Sequence, residues 1–513
     1  KIFVLQGTSL SGKSHLLPFI EDISFNNEIS QVEFFASSSR VASNLLSDSN
    51  IKFNSIYSYI YGGGIQETNT DDKEETEDNA EKIKLEVVPL KKSEDEENAL
   101  FIVDEAQLIS DSYHQSVDLK FGSGKLLEDL VKFSDINNSN RKIIFIGDSF
   151  QLSIGKNEES ALNPSYLEDK YQLKTKAFQL IDKDNISEII KQALIPVSGI
   201  RNQNYNQLSF DLTGNLKKIE KDQILSIVEN KINRNSNFHL LCYTNFDAQK
   251  INIWIKKSIV KNGEDLAEKD LIIINNNFKT EDEENPFSEP KKVFNGQFGV
   301  VNSVNNISQE TITPKGKQPI TLNFRDVNIS IKDTGHNVTI LSLENYRLSE
   351  KGELSEDEII ALKIILNREI RIHENKNPFE SSESNKQLIN SQEYIDLHNT
   401  INLLKEKLKK GDRVKTKLEE EERKSRKVIK YAQRKHRQNI EKELFKDSTS
   451  KYFKYKNVAY LRFGWALTVH KSMSYKWDEI IFNIDQGESR GKTNEGYFKW
   501  VYTGLTRARK NIG

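Results

Sequence analysis

Ile2-Phe3-Val4-Leu5-Gln6-Gly7-Thr8-Ser9-Leu10-Ser11-Gly12-Lys13-Ser14 is the stretch from which the fold can be read. The apolar run Ile2 to Leu5 reads as a short buried strand stopped by Gly7, and helix-compatible sequence runs from Lys13 to Ile20 beyond a polar loop. Within this strand, loop, helix order, Gly7 to Ser14 fits G-x-x-x-x-G-K-[ST]. Glycines at both ends of such a loop let backbone N–H groups curl around phosphate oxygens. Lys13 would neutralise β- and γ-phosphate charge, and the Ser14 hydroxyl would ligate Mg²⁺. Gly7, Gly12, Lys13, Ser14 and His15 are therefore the expected nucleotide-binding residues, with ATP and Mg²⁺ as cofactors.

Two later apolar runs deliver carboxylates where they end. Ala99 to Val103 leads into Asp104-Glu105-Ala106-Gln107, and Ile143 to Ile146 into Gly147-Asp148-Ser149-Phe150-Gln151. Ligands of open parallel α/β sheets lie outside the carboxyl ends of the strands, so the three strand ends are expected to share one site. There Asp104 would join Ser14 in the metal shell, Glu105 would orient or deprotonate the attacking water, Asp148 would line the nucleotide, and Gln151 would hydrogen-bond the γ-phosphate or its water.

The rest of the chain bounds this reading. With 513 residues and 36% hydrophobic content, several cores can be buried, which excludes a chain disordered throughout. The 74 Lys and Arg against 76 Asp and Glu give a net charge of −2, so a polyanion would have to be held by local patches in a cleft. A single cysteine, Cys242, excludes an internal disulfide and a cysteine-based zinc site. No apolar run is long enough for a membrane helix, and the composition suggests a cytoplasmic protein. The chain opens at Lys1 directly inside a strand-like run, so a preceding domain or partner subunit is expected.

The acidic stretch Asp71 to Asp78 reads as a solvated loop leading into the alternating Ile83 to Val87. A second α/β unit begins near Phe238 and resumes near Tyr460. Between them, Val301 to Leu343 alternates as strands do, whereas Leu354 to Arg371 and Leu403 to Leu444 have helical patterns. The other acidic run is Glu281 to Glu284. Arg423 to Arg437 carries eight Lys or Arg and no acid directly after Glu419 to Glu422, which suits either a solvated charged helix or a nucleic-acid track.

The ordered motifs resemble a superfamily 1 helicase core, closest to the RecD-like and Dda-like branch of superfamily 1B. Phe35 to Ala42 is similar to the family's second motif, with Ser37 where a proline is usual, and Ser55-Ile56-Tyr57-Ser58 is similar to the Thr-Ile-His-Ser that follows. Phe121 to Leu127 resembles bacterial members, Ile200 to Gln203 the fourth motif, and Tyr243-Thr244-Asn245 with Ala248 and Asn252 the start of the second motor domain. Val293 to Gly299, Ala466 to Ser472 and Val501 to Arg509 resemble the Phe-Asn-Gly loop, the fifth motif and the sixth. The resemblance implies an α/β fold of two tandem RecA-like P-loop motor domains. It places the first at 1–61 and 100–235 with a small insertion at 62–99, and the second at 236–302 and 456–513 with a β-rich and helical insertion at 303–455.

It also implies an ATP-hydrolysing helicase or translocase on single-stranded nucleic acid, DNA before RNA, moving 5′ to 3′. Arg201 and Arg507 would be charge-stabilising fingers on the γ-phosphate. Ser38, Arg40, Ser55, Tyr57, Thr244, Thr468 and His470 would contact the nucleic acid. An RNA-directed helicase and a nucleotide-gated scaffold with impaired turnover are the alternatives. The fifth motif departs from the family, with Met473, Ser474 and Lys476 standing where Gln, Gly and an acid are usual. Because the acid would hydrogen-bond a ribose hydroxyl and Lys476 has no acceptor, poor sugar recognition is expected.

Overall fold

The computed structural model describes residues 1–9, 11–26, 29–38, 41–42, 51–62, 66–67, 85–116, 119–180, 187–206, 208–281, 289–314, 316–411, 413–473, 475–485 and 493–513. Arg40, Ser474, the acidic stretch 71–78, Ile83 and Lys84, and Asp282 to Glu284 of the other acidic run lie outside the described residues. Leu10, one variable position of the phosphate loop, does too.

The opening strand Ile2–Gln6 lies inside a six-stranded sheet of order Phe53–Ser55, Val32–Ala36, Leu100–Val103, Lys142–Gly147, Ile2–Gln6 and Thr175–Gln179. Every pairing is parallel. Parallel strands must be covered on both faces, and the sequence answers with near-continuous apolar runs whose side chains fill two cores. Ile2, Val4, Phe101, Val103, Ile143 and Phe145 pack in one core, while Phe34, Leu100, Ile102 and Ile146 pack in the other. The strand bearing Asp104 is separated from the phosphate-loop strand by Lys142–Gly147 alone, so all three strand ends open on one edge.

A second parallel sheet has the order Ala466–Thr468, Phe238–Cys242, Trp477–Phe482 and Ala508–Ile512. Its core also takes in Ile189, Ala193, Val197 and Leu216, from the segment that follows the first sheet. The helices Glu188–Arg201 and Glu495–Leu505 pack together, and Leu216 forms a parallel bridge with Ile512.

The expected β-rich region is an antiparallel sheet of order Ser308–Ile312, Ile320–Ile331, Phe298–Val304, Leu271–Ile274 and Leu461–Phe463, with Asn337–Leu343 pairing Ile320–Ile331. Leu271–Ile274 and Phe298–Val304, expected within the second unit, are thus strands shared with the inserted region. Buried Asn252 joins this sheet to the parallel one: its amide donates to the carbonyls of Phe463 and Ala466, both at 2.9 Å, and its oxygen accepts the Ala466 N–H. Glu356–Lys376, Gln392–Lys409 and Lys415–Lys446 form the helical part; the second expected helix is two, interrupted at residues 410–414. Among the described residues, no helix is long and apolar enough to cross a membrane.

Candidate nucleotide-binding and catalytic site

The phosphate loop leaves its strand at Gly7, whose N–H donates to the Gly147 carbonyl at 3.2 Å, so it is tied to the strand end bearing Asp148. Gly12 takes the left-handed conformation, φ +94°, that a side chain would resist. Lys13 to Leu16 form a single 3₁₀ turn before the α-helix Leu17–Asn26, a tighter entry than the helix expected from Lys13. Lys13 Nζ donates to the carbonyls of Gly7 and Thr8 at 2.8 and 2.7 Å. Ser14 and His15 are exposed, while Ser11 Oγ is buried inside the loop with no hydrogen-bond partner among the described residues.

Asp104 is 4% exposed and its carboxylate accepts the Glu105 N–H at 2.9 Å. Burial, reinforced by the neighbouring Glu105 charge, pushes Asp104 up to about 7, with the Glu105 N–H and the Lys13 charge acting against it. Glu105 itself stands at φ +52°, a strained conformation for a residue with a side chain, and its carboxylate accepts from the Gln107 amide. Gln107 is buried and its oxygen accepts the Asp148 N–H at 3.2 Å, so one amide fixes two acidic strand ends relative to each other. Its place in Asp104-Glu105-Ala106-Gln107 was visible in the sequence, but nothing there showed that it faces inward.

The second sheet closes the site. From Glu495–Leu505, the Tyr502 hydroxyl donates to Asp148 at 2.7 Å and accepts the Ser9 N–H at 2.7 Å. Thr503 Oγ1 accepts the Leu152 N–H at 2.9 Å. Asp148 is buried, and that burial raises its pKa against the Lys13 charge and the Tyr502 bond. Arg507 is 4% exposed; its guanidinium donates to the carbonyls of Thr503 and Tyr475, and at 3.4 Å to the Gln151 oxygen. Arg201, the other expected finger, is exposed at the end of its helix and lies over the Phe150 ring at 5.1 Å. Lys13, Asp104, Glu105, Asp148, Gln151 and Arg507 are thus brought into one cleft, and Arg201 stands at its rim through Phe150.

The residues fit a nucleotide and its Mg²⁺. Mg²⁺ takes few protein ligands besides phosphate and water, so buried Asp104 with the Ser14 hydroxyl is a sufficient protein share. The orphaned Ser11 hydroxyl is a donor available within the phosphate loop.

The described members of the expected nucleic-acid set, which leave out Arg40, are placed at strand-to-helix junctions along the carboxyl edges of the parallel sheets. Ser38 Oγ accepts the Val41 N–H at 3.4 Å, and Thr468 Oγ1 accepts the Lys471 N–H at 3.3 Å. Thr244 and Asp247 form a reciprocal cap on Asn245–Ile255. Ser55 is buried at the start of Ile56–Ile60, and Tyr57 packs against Phe121, ring centres 5.1 Å apart. Of the set, His470 is exposed. Tyr243 and Phe246, either side of Thr244, are 37% and 41% exposed, an aromatic edge that the sequence reading did not single out.

No family model matches the chain, and no curated protein matches it. Solved structures do. The neighbours are Pif1 helicases. One from Bacteroides in complex with ADP-AlF3 and ssDNA is 13% identical with a TM-score of 0.38, the likeness spanning all of this chain and 87% of that one. One from Candida albicans is 12% identical with a TM-score of 0.37, spanning all of this chain and 90% of that one. At such identities and TM-scores, the functional reading stands on the chain's own residues.

Proposed function

We propose that this protein is an ATP-driven translocase and helicase on single-stranded DNA. The observation that carries the reading is the convergence of Tyr502, Thr503 and Arg507 from the second sheet on Ser9, Asp148, Leu152 and Gln151 of the first, around the phosphate loop. A nucleotide held there touches both units, so a change in its phosphates changes their relation.

Lys13 and the loop amides hold the β- and γ-phosphates, and Glu105 positions and deprotonates the attacking water. Ser14 and Asp104 would hold Mg²⁺, which would supply charge neutralisation. Gln151 and Arg507 lie on the far side, where an always-cationic planar donor stabilises the charge of the transferring phosphoryl group. Arg201, lying over Phe150 at the rim, is the second proposed finger. The strand runs along the edge bearing Ser38, Ser55, Tyr57, Thr244, Thr468 and His470, with Arg40 as a further contact, and movement is 5′ to 3′.

Steady-state ATPase with and without single-stranded DNA tests the reading, and stimulation by DNA is expected. ATP turnover unchanged by DNA and by matched RNA would remove the translocase. Polarity is read by streptavidin displacement: a 5′ to 3′ motor clears a block at the 3′ end, and clearance only at the 5′ end reverses the assignment.

A further inference from the structure

Lys476 precedes the strand Trp477–Phe482, and the backbone on both sides of it is bonded to Arg507. The Tyr475 carbonyl accepts from the Arg507 guanidinium at 3.4 Å, and the Trp477 N–H donates to the Arg507 carbonyl at 2.9 Å. Trp477 is buried against His239 and Phe298. Lys476 is half-buried and makes no hydrogen bond or ion pair with any described residue. Burial, with the charges of Arg507, Arg509 and Lys13 against that of Glu105 alone, brings its ammonium down to about 8. Its charged neighbours are therefore the arginine finger Arg507, the water-orienting Glu105, exposed Arg509 and the phosphate-loop Lys13.

Lys476, Arg507 and Lys13, with exposed Arg509 beside them, gather four positive charges around Glu105, and the bound triphosphate is the further anion this cleft is proposed to hold. An ammonium has three donors and no acceptor, which suits phosphate oxygens and cannot receive a ribose hydroxyl. We propose that Lys476 is a phosphate-binding residue, reaching from the second sheet to the terminal phosphate beside Arg507. The departure from the fifth motif is then a change of what is read: the chain senses the number of phosphates rather than the sugar. This rests on the nucleotide site proposed above and names the part of the ligand that Lys476 recognises.

The test is calorimetric binding of AMP-PNP, its 2′-deoxy analogue, ADP and inorganic tripolyphosphate to the full chain. The proteins are wild type, Lys476→Ala, Lys476→Arg, Lys476→Glu and Lys13→Ala, each with its thermal midpoint recorded. Lys476→Ala should weaken AMP-PNP and tripolyphosphate by about tenfold or more and ADP by less than about twofold, the scale of one hydrogen bond to a charged group. Lys476→Arg should restore most of the difference, Lys476→Glu should weaken AMP-PNP further, and the ribose and deoxyribose analogues should bind wild type alike. Equal loss for ADP and AMP-PNP, or tighter AMP-PNP binding by Lys476→Glu, overturns the proposal. If Lys13→Ala loses nucleotide and Lys476→Ala does not, only this inference fails. If Lys13→Ala binds as wild type does, the nucleotide site itself is elsewhere.

Discussion

Lys13 and Glu105 are proposed to act on different parts of a bound nucleotide, so their substitutions separate binding from chemistry. Glu105→Gln should abolish turnover and still bind ATP, whereas Lys13→Ala should lose both; equilibrium binding beside single-turnover hydrolysis checks this. Wild-type hydrolysis by Glu105→Gln would remove the water-activating role. His239 yields a prediction of another kind. It is 5% exposed, lies against Trp477 and Phe298 with ring centres 4.4 and 4.7 Å away, and has an unpartnered Nδ1. Burial first, and the Lys332 charge second, bring it down to about 3. The unfolded chain therefore binds a proton between about pH 6.5 and 3 that the folded chain refuses, and stability falls as pH drops through that window by up to about 1.4 kcal/mol per unit. Urea midpoints from pH 7 to 4 should show this slope, and His239→Phe should flatten it. At this scale the sequence disclosed Lys13, Asp104 and Glu105 because their spacing follows strand ends. Lys476 was legible only as a departure, since its neighbours Lys13 and Glu105 come from the opposite end of the chain.

Helix-on-helix packing of Glu188–Arg201 against Glu495–Leu505 seats the helix whose Tyr502 and Thr503, with Arg507 just beyond, bond the first unit. Gly199 permits the close approach: a Cβ there would stand 2.4 Å from the Phe498 ring and 2.9 Å from the Asn204 carbonyl oxygen. Gly199→Ala should destabilise by about 1 to 3 kcal/mol, as overpacked interfaces do, read as a lower denaturant midpoint. Tyr502→Phe keeps the ring but removes both the bond to Asp148 and the acceptor of the Ser9 N–H, so two buried groups lose a partner. The denaturant midpoint should fall by the equivalent of about 1 to 3 kcal/mol, and ATP turnover should fall with it. Element identities were legible where apolar runs met glycine or acid, as at Leu100–Val103 and Lys142–Gly147. Direction of pairing was not. Leu271–Ile274 is as apolar as any parallel strand, and only long-range partners make it antiparallel.

Across the whole molecule the basic run is the largest local departure from charge balance. On Lys415–Lys446 it exposes Arg423, Arg426, Lys427, Lys430 and Lys435, with Tyr431 among them 71% exposed, while Arg437 is held by Glu374 at 2.9 Å. Cations interleaved with an open ring suit a single strand. Reversing Arg426, Lys427, Lys430 and Lys435 should weaken DNA binding and flatten the log–log salt slope by up to about 3, leaving ATPase without DNA unchanged. Fluorescence anisotropy at several salt concentrations measures both; unchanged affinity would return the segment to a solvated helix. The helix has a mechanical side as well. Its 32 residues make a rod about 48 Å long. The inserted region is tied to the second sheet by buried Asn252, which bonds Phe463 of the antiparallel sheet and Ala466 of the parallel one. A rigid arm of that length turned through about 10° sweeps its far end through about 8 Å, more than two nucleotide steps of a stacked strand, so a slight closure around the triphosphate becomes a stroke at the tip.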